Sequence, residues 1–222
     1  QMTDVITTIK ARTSANNFDP THVMTAEEIA ELVEIANEAP TSFNQQNWRT
    51  VAVTSAEGKA KLQAAAYGQA KVGAAAATFI MVGDSQGYKQ LPRIVQPLLD
   101  AGYIDQAAYD GWVGAANGMY AANTQIQHDE AIRSASLAGM TLMLAATAKG
   151  LASCPMVGFD PAAVAKEFGL KDGELPVMII TVGKAAEGNW GRKARLPFPI
   201  PRSSVVSYAF SPCRPAREPE CP

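Results

Sequence analysis

Two uninterrupted apolar runs constrain the fold of this chain most. They are Thr78-Phe79-Ile80-Met81-Val82-Gly83 and Pro176-Val177-Met178-Ile179-Ile180-Thr181-Val182. Each is short and rich in β-branched and other large apolar residues, the pattern of a strand buried on both faces. Thr50 to Thr54 is a third, shorter strand candidate. Most of the remaining pattern is helical. Asp4 to Lys10 places Val5, Ile6 and Ile9 on one face. Thr25-Ala26-Glu27-Glu28 is a capping box that opens a helix carrying Ile29, Leu32, Val33 and Ala36 and ending before Pro40. Ser55 to Ala66 reads as helix, and so does the stretch from Asp160-Pro161 to Phe168, which begins with a good N-cap and N1 pair.

The longest helix is expected from about Ile126 to Lys149. Its many small residues (Ala131, Ser134, Ala135, Ala138, Gly139) allow close approach on more than one side. That suits a central helix, one that also packs against a second copy of the chain. Residues 85–125 read as short helices and a loop excursion over the surface. No repeat or linker divides the chain, so one α/β domain over residues 1–210 is expected. Residues 211–222, proline-rich and aperiodic, are expected to be a disordered or non-native tail.

Composition excludes several function classes. The chain has 222 residues, 47% hydrophobic and 18% charged, enough for a core without staples. A formal charge of −2 gives no support for nucleic-acid or anionic-membrane binding. No apolar run reaches the roughly 18–20 residues that span a bilayer. The first residues, Gln1-Met2-Thr3-Asp4, lack the order of a secretory signal. Cys154, Cys213 and Cys221 form no disulfide framework and no metal-ligand spacing. His22 and His128 are too isolated for a triad or a metal site. A reducing, cytoplasmic setting without metal is expected.

Four segments carry the chemistry. Arg12-Thr13-Ser14, at a helix end, offers a guanidinium and two hydroxyls to a phosphate. Lys193 and Arg195 alternate across Ala194, so an extended backbone points both cations one way. After Pro40 and Thr41, the residues Ser42, Asn44 and Gln46 also alternate and can line one edge of an extended strip with donors and acceptors. Cys154-Pro155-Met156-Val157-Gly158 is a rigid turn that can expose backbone to a flat ring, with Gly158 permitting close approach. Each segment alone is as readily a polar loop, a basic tail or a connector. Phosphate, polyol and flat ring together describe flavin mononucleotide (FMN). No glycine-rich dinucleotide loop is present, so a nicotinamide would have to react with a flavin already in place.

In this order and spacing, the segments from Asp4 to Pro197 resemble the nitroreductase family of flavin enzymes. The resemblance implies a three-layer α/β (α+β) sandwich, its central sheet mixed but mainly antiparallel and flanked by helices. It further implies an intertwined homodimer with each flavin at the interface. By motif, Arg12, Thr13, Ser14, Lys193 and Arg195 would hold the phosphate. Pro40, Thr41, Ser42, Asn44 and Gln46 would come from the other subunit toward the ring and ribityl chain. Pro155 and Met156 would back the ring, the Val157 N–H would face the flavin N5, and Gly158 would allow that approach. Gln69 and Lys71 align with a position touching polyol or ring. Asn16 stands where many relatives carry a cation, and Val157 where many carry Glu. Phe198 to Arg202 departs from the acidic run expected there.

The implied activity is electron transfer from NAD(P)H to nitroaromatics, quinones or similar flat acceptors by a ping-pong mechanism. Phe43 and Tyr120 are candidates for shaping the acceptor site. The chemistry would sit on the flavin, without a protein acid or base. The rival expectation is a flavin-binding module for storage or sensing, without turnover.

Overall fold

The computed structural model describes residues 4–196. The chain divides into a compact unit, Gln1–Asn189, and a second unit, Trp190–Pro222. The 211–222 tail, Cys213, Cys221 and the stretch from Pro197 to Arg202 lie outside the described residues.

The first unit is built on four strands: β1 (Trp48–Val53), β2 (Ala77–Asp84), β3 (Ala152–Met156) and β4 (Glu174–Gly183). They form one sheet in the order β1-β2-β4-β3, antiparallel throughout. The one parallel pairing among the described residues is an isolated bridge between Ser14 and Ser153. The two apolar runs thus become the central pair, β2 and β4, flanked by an edge strand on each side.

Period-2 alternation sends the side chains of that central pair into two cores. Phe79, Met81, Ile180 and Val182 pack with Leu32, Ala36, Ala138 and Leu142. Those partners come from the helices α2 (Ala26–Ala36) and α7 (Thr124–Ala148). Ile80, Val82 and Ile179 point the other way, against Leu62, Val72 and Val164. These belong to α3 (Ala56–Ala65), α4 (Ala70–Ala74) and α8 (Pro161–Glu167). The result is three layers, helices on each face of the sheet. Phe79, Ile80, Met81 and Val82 are all fully buried, and each stabilises the fold by about 1.5–3 kcal/mol relative to exposure.

The expected caps form. Thr25 Oγ1 accepts from the Glu28 N–H at 3.2 Å, and the Glu28 carboxylate accepts from the Thr25 N–H at 2.8 Å. Asp160 accepts from the N–H groups of Ala162 and Ala163. The 85–125 stretch holds two substantial helices, α5 (Leu91–Asp100) and α6 (Gln106–Tyr120), with a satellite core of Tyr88, Leu91, Val95, Ala116 and Tyr120.

Helix α7, of 25 residues, contains a stretch apolar enough to cross a membrane by length and composition alone, although Arg133 and several hydroxyl residues interrupt it. Half of that apolar stretch is buried inside the unit, so it is the core helix of the sandwich. It lies very close to the sheet: a Cβ on Gly83 would stand 2.4 Å from the Ala131 carbonyl oxygen. Its outer face leaves Ile132, Leu137 and Met140 exposed. The apolar face of α1 (Val5–Ala11) is also uncovered, with Val5, Ile6 and Ile9 at 67%, 56% and 41% exposure.

Candidate functional site

The site assembles along the free edge of β3. Helix α1 ends at Arg12, whose N–H still bonds the Thr8 carbonyl. The chain then runs beside β3, through the Ser14–Ser153 bridge and a 3.0 Å bond from the Ala15 N–H to the Ser153 carbonyl. This pairing carries the half-buried Arg12, Thr13 and Ser14 onto the edge opposite β4. Arg12 and Thr13 line a cleft of about 250 Å³ together with Gly150, Leu151 and Ala152. The Ser153 hydroxyl, next to Ser14, is buried and finds no partner among the described residues.

Helix α4 brings a cation to the same edge. Lys71 Nζ donates to Asn16 Oδ1 at 3.0 Å and lies 3.5 Å from Cys154 Sγ. Two residues earlier, Gln69 Nε2 donates to the Gly158 carbonyl at 2.8 Å and to the Ala66 carbonyl at 3.1 Å. That bridge holds the turn after β3, where Val157 is 78% exposed. Arg12–Ser14, Asn16, Gln69, Lys71 and Val157–Gly158 are therefore one neighbourhood. Cations, hydroxyls and amides there fit a ligand with an anionic end and a polar heteroaromatic ring.

Part of the third segment is corrected. Cys154, Pro155 and Met156 are not turn but strand β3, paired with Thr181, Ile180 and Ile179. Pro155 hid this, because proline cannot donate to a ladder. It is tolerated because β3 is an edge strand. Met156 is buried in the core at 6% exposure, while Pro155 is half-buried. The turn proper is Val157-Gly158.

The second segment lies at the other edge, where it feeds β1. Its backbone is not an extended strip. Ser42–Asn44 is a single 3₁₀ turn, and Phe43, Asn44 and Gln46 have φ of 54°, 57° and 49°. Left-handed backbone costs roughly 1–2 kcal/mol per non-glycine residue, so the surroundings must hold it. Thr41 Oγ1 accepts from the Gln46 N–H at 3.0 Å. Asn47 pairs with Asp84 through both side chain and backbone. A Cβ on Gly87 would stand 2.1 Å from the Asn47 Cβ, so only glycine lets the loop seat there. Pro40, Asn44 and Gln46 face outward, Thr41 and Ser42 are half-buried, and Gln45 and Asn47 are buried.

Tyr120 does not stand at an open mouth. It is 1% exposed, and its hydroxyl donates to Ser42 Oγ at 2.8 Å. Phe43 is half-buried and meets the Tyr120 ring edge-on at 6.2 Å. Beside Gln46, a cleft of about 330 Å³ is walled by Arg49, Arg93 and Glu174. Arg49 grips Glu174 bidentately, at 2.6 and 2.8 Å, and this holds the carboxyl below its usual range.

The model of the Nitroreductase family matches residues 9–184. The chain belongs to the nitroreductase family. Among its relatives, "Putative NAD(P)H nitroreductase MhqN" of Bacillus subtilis (strain 168) is 39% identical over 177 residues, 79% of this chain and 86% of that protein. Protein DrgA of Synechocystis is 34% identical over 207 residues, 91% of this chain and 95% of that one. Among solved structures, a "putative nitroreductase in complex with FMN" from Exiguobacterium sibiricum 255-15 superposes with a TM-score of 0.80 at 33% identity, covering 88% of this chain and 94% of the other. Family membership makes the chain an oxidoreductase and accounts for the antiparallel sheet between helical layers.

Within this nitroreductase, Lys193 and Arg195 belong to the second unit. Lys193 Nζ lies 5.7 Å from the centroid of the Trp190 ring, and Arg195 Nη1 donates to the carbonyls of Lys193 and Ala194. The two cations are thus engaged differently within that unit. Sequence reasoning also missed Gln45, Asn47 and Gln90, and it placed Trp112 only among aromatics that could shape the acceptor site, not on the loop backbone. Gln90 Nε2 donates to the Gln45 carbonyl at 3.0 Å, and Trp112 Nε1 donates to the Phe43 carbonyl at 3.1 Å. The one available signal was that Trp112 and Tyr120 lie eight residues apart on one helix face.

Proposed function

We propose that this nitroreductase is an FMN-dependent enzyme that passes electrons from NAD(P)H to nitroaromatics, quinones or related flat acceptors in two half-reactions. The observation that carries this reading is the convergence along the β3 edge. Arg12, Thr13 and Ser14 suit a phosphate, Lys71 and Asn16 a polar ring edge, and the exposed Val157–Gly158 turn a flat ring. The relative crystallised with FMN supports the same cofactor.

FMN, when bound, would supply the redox chemistry between NAD(P)H and the acceptor. The chain's residues bind, orient and tune. Arg12 with Thr13 and Ser14 would neutralise the phosphate. Lys71 would stabilise negative charge that develops on the pyrimidine edge, the work a fixed cation does best. Gln69 holds the Gly158 carbonyl, which keeps the Val157–Gly158 backbone presented to the ring. Pro155 would add an apolar wall. No side chain has to move a proton.

Pro40, Thr41, Ser42, Asn44 and Gln46 emerge beside β1, with β2 and β4 between them and the β3 edge. A site using both sets is completed by a second copy. The uncovered apolar faces of α1 and α7 support a homodimer. A reducing cytoplasm suits the free Cys154. The rival reading is a flavin-binding module without turnover, favoured by the uncharged Asn16.

Purified protein tests both. A yellow sample that NAD(P)H bleaches anaerobically, and that menadione recolours, bears out the enzyme. A yellow sample that NAD(P)H leaves unchanged favours the binding module. A colourless sample that takes up no added FMN removes both readings.

A further inference from the structure

The geometry points to Trp112 and Tyr120 as positioning residues that lock the Ser42–Gln46 loop in its working shape from helix α6. This inference rests on the reading of that loop as flavin-contacting. Three of the loop's residues, Phe43, Asn44 and Gln46, hold left-handed backbone without being glycine. Locally the loop has Asn44, a residue that tolerates left-handed backbone, and the Thr41 hydroxyl on the Gln46 N–H, while Phe43 and Gln46 still carry the cost of a Cβ there. Some outside element has to fix it.

Helix α6 and the turn before α5 are that element. Trp112 Nε1 donates to the Phe43 carbonyl, and the Tyr120 hydroxyl donates to Ser42 Oγ. Gln90 Nε2 donates to the Gln45 carbonyl. The fixtures are themselves fixed. Tyr120 is stacked on Tyr88 at 6.0 Å, and the Gln127 side chain donates to its carbonyl at 2.7 Å. Gln127 in turn accepts from Gln86 Nε2 at 2.7 Å. The loop is therefore held at Ser42, Phe43 and Gln45, through one side chain and two carbonyls, by residues 45 to 78 positions away in sequence. Holding carbonyls selects the backbone rotation and leaves the outward side chains of Asn44 and Gln46 open to a ligand. The α5–α6 excursion thus sets ligand geometry without touching the ligand through these residues.

The test uses the full chain loaded with FMN. Tyr120→Phe removes one hydroxyl and keeps the ring; Trp112→Phe removes the indole donor and keeps an aromatic. Both variants should bind FMN about three- to tenfold more weakly, the loss of one neutral hydrogen bond. The visible circular dichroism of the flavin they retain should also change, because the ring's surroundings shift. A role in folding alone would lower the unfolding temperature and leave that spectrum and the affinity unchanged, and this result overturns the inference. Should either variant fail to fold, the other decides, with Gln90→Met as a third probe of the same loop. A wild-type chain that takes up no FMN overturns the functional reading and this inference together. Wild-type uptake with unaltered variants overturns this inference alone.

Discussion

The Lys71 ammonium stands 3.0 Å from the Asn16 side-chain oxygen. The pair answers a question the sequence raises, since Asn16 occupies a position where a cation is expected. Here the charge arrives from α4 and uses Asn16 as its rest. Replacing Lys71 with Met should remove the fixed charge beside the ring. A lost charged hydrogen bond is worth about 1.5–3 kcal/mol, and at 1.4 kcal/mol per 30 mV the two-electron potential should fall by roughly 30–60 mV. Dye-equilibrated potentiometry of the holoenzyme reads this directly. An unchanged potential would place Lys71 away from the ring.

In the proposed function Arg12 meets the phosphate, not the ring. Arg12→Ala should weaken FMN by roughly 1.5–3 kcal/mol while sparing riboflavin, which lacks the phosphate. Parallel titrations with the two flavins separate the outcomes. Equal weakening of both ligands would contradict the assignment.

The Arg49–Glu174 pair predicts acid sensitivity. The Glu174 carboxyl is held below its ordinary value of 4.5, chiefly by its hydrogen bonds from Arg49. A depressed folded-state pKa adds stability above the unfolded value, and this is lost as pH falls through the folded value. Arg49 is 41% exposed, so solvent screening keeps the contribution near about 1 kcal/mol. Glu174→Gln should therefore unfold more readily at neutral pH, and its deficit should close below about pH 4. Denaturant melts across pH 3–7 would show the gap; a gap independent of pH would assign the loss to packing.

The outer face of α7 should be an interface between copies. Leu137 is 42% exposed on that face, between Ile132 and Met140. Leu137→Lys should break the proposed dimer and cost FMN at the same time, since in that reading a second copy completes the site. Light scattering coupled to size exclusion, with flavin absorbance monitored, measures both. A monomeric variant that keeps its flavin would show that one chain suffices.

Much of the fold was legible because local signals agreed with the tertiary outcome. The apolar runs at 78–83 and 176–182 became the central strands, and Thr25 with Glu28 made the expected box. Legibility failed where long-range contacts overrule local preference. Pro155 disguised β3, whose edge position excuses a missing donor. Pro97, together with Gly111, Gly114 and Gly118, blurred α5 and α6. The alternation of Ser42, Asn44 and Gln46 suggested a strip; burial does alternate at Asn44 to Asn47, but through left-handed turns. Arg12–Ser14 and Lys71, singled out from residue type, come together at the β3 edge. Gln90 and Trp112 act on distant carbonyls, and composition gives no sign of such partners.

The opposed placement of β1 and β3 has a genetic corollary for a pocket drawn from two polypeptides. One allele impaired at Arg12 and another impaired at Ser42 would complement each other in a mixed assembly. There, one pocket would collect both lesions and its twin would inherit neither, so two inactive gene products could together restore half the working sites.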